Sequence, residues 1–224
     1  MNPQIVRPRA RGFTLIELMV GVTIVLVLGA LVFSMARKGI AKANGARDAT
    51  TMRNTFTTIL QYASDNNGLL PGPVNTGVKS VYGPQSTGRL SYYLAPVLGY
   101  ENLERDDWVE PMSYSWQKDE NSRNAPCAYL RKEVPLRSGT GTIMPFGHPQ
   151  QRGENRQPKR LASVVTQIDP ARTWIMSDLD QKHPELGNPA WKSQIPAEMS
   201  HGNYRIAVFF DGHAGKLDVD NELR

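Results

Sequence analysis

The sequence predicts an α+β protein, a long N-terminal helix laid against a small antiparallel sheet, and three observations predict it. An uncharged apolar run fills Leu18–Ala36 and passes into a helical pattern that stops at Asn66-Asn67-Gly68. No proline occurs between Phe13 and Leu70, whereas Gly and Pro recur from Pro71 to Arg160. The C-terminal third carries apolar segments of strand length, two of them joined by Asp211-Gly212, a two-residue hairpin turn signal.

The apolar run comes first. Nineteen residues from Leu18 to Ala36 carry only Thr23 and Ser34 as hydroxyls. As a helix they reach about 28 Å, close to the roughly 30 Å of a bilayer core. A buried helix of a soluble core needs only about 10–14 apolar residues. Arg7, Arg9 and Arg11 precede the run and none lies within it, so Met1–Gly12 is expected on the cytoplasmic side and the rest exported. The result is a single-pass protein of an inner membrane. Glu17 is the anomaly, because an ionisable group in a spanning helix costs about 2.5–3.5 kcal/mol and is a functional candidate by default. The ordinary alternative is an interfacial carboxylate reaching back to the headgroups. Ser34-Met35-Ala36 also offers ordinary signal peptidase a small-x-small site, which would release a soluble chain from Arg37.

Beyond the run, Ile40, Ala43, Ala46, Ala49 and Met52, then Phe56, Ile59, Leu60 and Ala63, recur near the helical period. Met52, Phe56, Ile59 and Leu60 form the clearest stripe for docking on a sheet. Asn66-Asn67-Gly68 stops the helix, and Pro71-Gly72-Pro73 keeps it stopped. The loop-rich middle holds a short helix or turn at Leu90–Leu98 and strands at Ala128–Leu130 and Thr142–Met144. Gly147–Arg160 is polar and basic but lacks interleaved aromatics, so it reads as a solvated loop and nucleic acid is not favoured as a partner. Further on, Ser163–Ile168 ends at the Asp169-Pro170 turn, Thr173–Asp178 reads as a buried strand, and Asn203–Phe210 and His213–Val219 are the two arms of a hairpin.

The formal charge of +5 includes three leader arginines, leaving +2 on the remaining side chains. The basic balance is therefore mainly a topology signal. A single cysteine, Cys127, forbids an internal disulfide.

Arg11-Gly12-Phe13-Thr14-Leu15-Ile16-Glu17-Leu18 resembles the prepilin signature of type IV pilins and type II secretion pseudopilins. The resemblance implies a pilin-like fold and a leader, residues 1–12, cleaved by a prepilin peptidase/N-methyltransferase. Position by position, Gly12 matches the cleavage residue, Phe13 the N-methylated one, and Glu17 the glutamate of assembly. An amine freed on Phe13 could pair with Glu17 of a neighbouring subunit and set the register of a filament. Residues 13–66 would then be the helix, spanning the membrane to about residue 36, and 67–224 an exported domain, periplasmic or extracellular. Many major pilins kink this helix with proline, and this chain does not.

The tail carries a second resemblance. His201, nine residues, then Asp211-Gly212 is similar to the prepilin-type processing-associated H-x9-DG family, as are the Phe209–His213 turn and Ile168–Thr173 with Met176-Ser177-Asp178. His201, Asp211, Gly212 and His213 are expected to be structural, with Asp211-Gly212 making the turn and His201 bonding near the start of the adjacent strand. Asp178, Asp180, His183, His201, Asp211 and His213 also include enough ligand atoms for a divalent ion, and the calcium that major pseudopilins hold makes Asp178 and Asp180 tempting. Calcium wants six or more oxygens and no tight zinc spacing is present, so no metal and no cofactor are expected. No Gly-x-Ser-x-Gly elbow occurs, and no enzyme is expected. Two function classes stand: a structural subunit of a type IV pilus or secretion pseudopilus, with other pilin-like subunits as partners, and an anchored or secreted ligand-binding domain whose helix is only an anchor or signal.

Overall fold

The computed structural model describes residues 14–218. Helix α1 runs Leu15–Asp65, and the chain divides into two compact units, residues 1–42 and 43–224. In the second unit the remaining elements are β1 (Gly77–Lys79), α2 (Leu90–Val97), α3 (Glu120–Asn124), β2 (Pro126–Leu130), β3 (Val134–Pro135), β4 (Thr142–Ile143), α4 (Leu161–Gln167), β5 (Trp174–Asp178), β6 (Tyr204–Phe209) and β7 (Ala214–Asp218).

Five strands form one antiparallel sheet in the order β1-β2-β5-β6-β7, while β3 and β4 pair separately. The second half of α1 covers one face of the five-stranded sheet. Met52, Phe56 and Ile59 pack there with Val78, Leu130, Met176, Ile206, Val208 and Phe210. The other face is covered by irregular chain, where Leu179, Leu186 and Ile195 bury Tyr129, Trp174, Ala207 and Leu217. Alternation along β6 explains this two-sidedness: Ile206 and Val208 face the helix, Ala207 and Phe209 the loop. Arg205, on the loop side and 2 % exposed, is held by Asp180 through bonds of 2.6 and 2.9 Å.

Helix α1 stops as its sequence directs. Asn67 and Gly68 adopt positive φ, and the Gly68 amide reaches back to the Ala63 carbonyl at 2.7 Å, a Schellman closure. The basic loop after Gly147 then docks on this helix end. The Leu70 amide donates to the Lys159 carbonyl, the Leu161 amide to that of Gly68, and the Arg160 guanidinium to that of Asn67. Arg152 and Arg156 stay exposed, in keeping with a solvated loop.

Three local features were not legible in the sequence. Ser163–Gln167 lies in helix α4, closed by Thr166 and Gln167 side chains that bond back to the Ser163 carbonyl. Ile40, Ala43 and Ala46 are exposed, and the buried face of α1 instead runs through Gly45, Asp48, Thr51, Met52, Thr55, Phe56, Thr58, Ile59 and Ala63. The polar residues on that face are why an apolar period alone misplaces it. Strand β1, three residues long, is too short to leave an alternating signal.

Candidate functional site

Two regions carry the candidate residues. In the first unit, Leu15, Ile16, Leu18, Met19, Val25, Leu26, Leu31 and Phe33 are all more than half exposed. An 18-residue window has a mean hydropathy of 2.7, with none of it buried. The backbone of such a segment is satisfied internally by the helix, leaving only apolar surface to be covered. Thr23 removes its one polar group by donating to the Met19 carbonyl at 2.8 Å.

Gly12 and Phe13 lie outside the described residues. Glu17 closes a capping box with Thr14. The Thr14 amide and hydroxyl both donate to Glu17 Oε2, at 3.0 and 2.9 Å, and the Glu17 amide donates to Thr14 Oγ1 at 3.3 Å. Thr14 was missed in the sequence, although Thr-x-x-Glu ahead of an apolar run is the signature of this cap. The second carboxylate oxygen, Oε1, has no partner among the described residues.

In the second unit the H-x9-DG residues bracket β6. His201 lies just before the strand and Asp211-Gly212 just after it, and both ends press on α1. His201 Nε2 stands 3.3 Å from Asp48 Oδ2 on the helix and 3.3 Å from Asp178 Oδ2 at the end of β5, with all three side chains almost completely buried. Asp48 is further fixed by the Ser115 amide and hydroxyl, each at 2.7 Å, and Asp178 by the Ile206 amide at 2.7 Å. Tyr204 stacks on the imidazole, and Gly45 faces it from the helix, where a methyl would make an ordinary contact 3.5 Å from His201 Nδ1. Burial pulls the His201 pKa down, but the Asp48 and Asp178 carboxylates outweigh it and hold the imidazole above its ordinary value. Burial lifts the Asp178 carboxyl to about 7, against the pull of His201 and the Ile206 amide.

At the other end of β6, Gly212 has φ +88° and lies against the Phe56 ring. Asp211 Oδ1 accepts from the His213 amide and meets His213 Nδ1 at 2.6 Å, while the ring stacks on Phe209. The Phe210 amide donates to the Thr173 carbonyl and the Asp211 amide to that of Pro170, so the Ile168–Thr173 turn and the hairpin turn meet. Asp211-Gly212 lies in the turn between β6 and β7. His201 thus lies within ion-pair distance of the helix, at Asp48, as well as of the end of β5, at Asp178. Asp48 was missed, and the signal was a carboxylate one turn ahead of Met52 on the helix's sheet-facing side.

The six possible ligands disperse. Asp180 holds Arg205, His183 Nε2 meets Ser177 Oγ at 2.9 Å, and Asp211 with His213 forms the turn, leaving Asp178 with His201. Burial drives the His183 pKa down to about 3, with Arg205 adding to it, so the ring is neutral. Among the described residues no three His, Cys, Asp or Glu side chains are arranged to hold a metal ion. Cys127 is buried, its thiol facing the Val78 and Met112 carbonyls and pushed up to about 12 by burial.

An α+β domain together with an apolar helix long enough to cross a bilayer defines the class. Residues 7–33 match the family described as the prokaryotic N-terminal methylation motif, the motif of pilin-like precursors. No curated protein and no solved structure matches the chain.

Proposed function

We propose that the chain is a pilin-like or pseudopilin-like structural subunit. A prepilin peptidase/N-methyltransferase cleaves it after Gly12 and methylates Phe13, and the mature chain assembles through α1 into a type IV pilus or a type II secretion pseudopilus. The observation that carries this reading is a coincidence of position: the matched motif, residues 7–33, covers the arginine leader, Gly12-Phe13 and the unburied apolar face of α1. An unburied apolar helix needs lipid around it before assembly and neighbouring helices after it. Before processing, Met1–Gly12 lies in the cytoplasm and the domain beyond residue 67 on the far side of the inner membrane.

The capping box fits this role. Thr14 occupies Glu17 Oε2 and leaves Oε1 for the Phe13 amine of a neighbouring subunit. Once buried among packed helices, a carboxylate without that partner is costly, so the pair fixes the axial register.

N-terminal sequencing and intact mass of the protein recovered from a peptidase-bearing host test the proposal. A chain beginning at methylated Phe13 is expected. An intact Met1 would instead assign a plain membrane anchor, and a start at Arg37 a secreted domain.

A further inference from the structure

Beside strand β1 the second unit carries a cleft of about 390 Å³, within the size range of small-ligand sites. Its walls include Asn75, Lys79, Arg89, His148, Gln150 and Trp191. No carboxylate lines it among the described residues. The walls are firm: Asn75 is tied twice to the Gly88 carbonyl, and Trp191 lies so close to Gly77 that even a methyl there would stand 3.0 Å from the indole.

The charges are unequally satisfied. Arg89 donates to the Tyr82 carbonyl and pairs with Asp106 at 3.2 Å. Lys79, half-buried, makes no ion pair and no side-chain hydrogen bond among the described residues, and burial together with Arg89 pulls its pKa down against the opposing pull of Asp106. Asp106 is taken up by Arg89, so Lys79 presents its charge to the cleft without an ion pair of its own. The other walls are not those of a bare anion site. Trp191 offers an aromatic surface with a polar tip, and Gln150 and Asn75 offer amides. His148 is kept neutral by burial and by Lys132. Its Nδ1 accepts the Gln150 amide, which leaves Nε2 as a donor.

We propose that this cleft binds an acidic saccharide unit, its carboxylate on Lys79 beside Arg89, a C–H face against Trp191 and its hydroxyls on Gln150 and His148. The cleft does not depend on the fate of the N-terminus, and it would give this domain a specificity for acidic polysaccharide.

Calorimetric titration of the full-length protein in detergent with tetragalacturonate, maltotetraose and sodium sulfate tests it. Tetragalacturonate is expected to bind, to bind at least tenfold more tightly than maltotetraose, and to weaken as salt screens the cleft. Lys79→Gln and Trp191→Ala should each weaken it at least tenfold, and Lys118→Gln, an exposed residue outside the cleft, should not. Melting temperatures report folding, and since Trp191 supports Gly77, Lys79→Gln is the decisive variant. Absence of tetragalacturonate binding, equal binding of the neutral sugar, or an affinity indifferent to Lys79→Gln overturns the proposal. Binding of sulfate with Trp191→Ala without effect overturns it too, in favour of a simple anion site.

Discussion

Replacing Asp178 by asparagine keeps the side chain's shape and removes a single titration, which makes the cluster at the head of β6 quantitatively testable. Burial lifts this carboxyl from 3.8 to about 7. A carboxyl whose folded pKa exceeds its unfolded one binds its proton more tightly in the fold. Its contribution is complete at low pH and is lost as pH rises between those two values. His201, also raised, runs the same way: its contribution is present below 6.5 and lost as pH climbs through its folded value. His183 and His148, both lowered, run oppositely and lose stability as pH falls. The wild type alone therefore gives a mixed profile, but the two opposing histidines are common to both proteins and cancel in the difference. From pH 5 to pH 7 the Asp178 contribution changes over two units, so Asp178→Asn should gain about 2–3 kcal/mol on the wild type between pH 5 and pH 8. Removing the Asp178 charge also leaves His201 less raised, which adds in the same direction. Urea unfolding of both full-length proteins in detergent at pH 5, 6, 7 and 8 measures it. A difference that stays flat, or that moves toward the wild type as pH rises, would refute the argument that burial raises this carboxyl's pKa in the fold.

Further outcomes follow from the packing and the N-terminus. Phe56→Ala removes a ring with 2 % exposure beneath the hairpin turn and should cost about 3–5 kcal/mol, read from the urea midpoint. Gly147→Ala meets both a φ of +61° and a methyl 2.2 Å from the Arg156 carbonyl oxygen. It should cost more than the roughly 1–2 kcal/mol of a left-handed backbone alone, and an unchanged thermal midpoint would contradict that. Cys127 should resist a thiol reagent in the folded protein and react only as urea unfolds it, since its buried thiol stays protonated. Glu17→Ala should leave processing after Gly12 intact while abolishing filaments in electron micrographs; normal filaments from that variant would remove Glu17 from assembly.

Sequence patterns captured most of what is local. The helix stop at Asn67-Gly68, the hairpin at Asp211-Gly212 and the stripe of Met52, Phe56 and Ile59 each rest on one backbone conformation or one period, and each is present. What escaped was long-range. Asp48 reads as an ordinary polar residue of an exposed helix until His201 and Asp178 arrive from the far end of the chain to bury it. Strand β1 is held by pairing with β2, not by its own three residues. Residues 163–167, whose type the sequence left open, form a helix with Val164 in the core and Leu161 packed against it. The binding cleft was equally hidden, because Lys79, His148 and Trp191 come from three separate stretches and share no spacing.

The anchoring of both ends of β6 on α1 also bears on the order of events during synthesis. Asp48 leaves the ribosome early, while Asp178 and His201 emerge only after nearly all of the domain between them. If the chain crosses the membrane as the proposed topology requires, the sheet-facing side of α1 travels ahead of the strands that will cover it. Met52, Phe56 and the Asp48 carboxylate then wait in solvent until β6 and β7 arrive. Folding cannot close from the N-terminus forward, and a chain arrested before residue 201 should offer that helix face to proteases or to a chaperone on the far side.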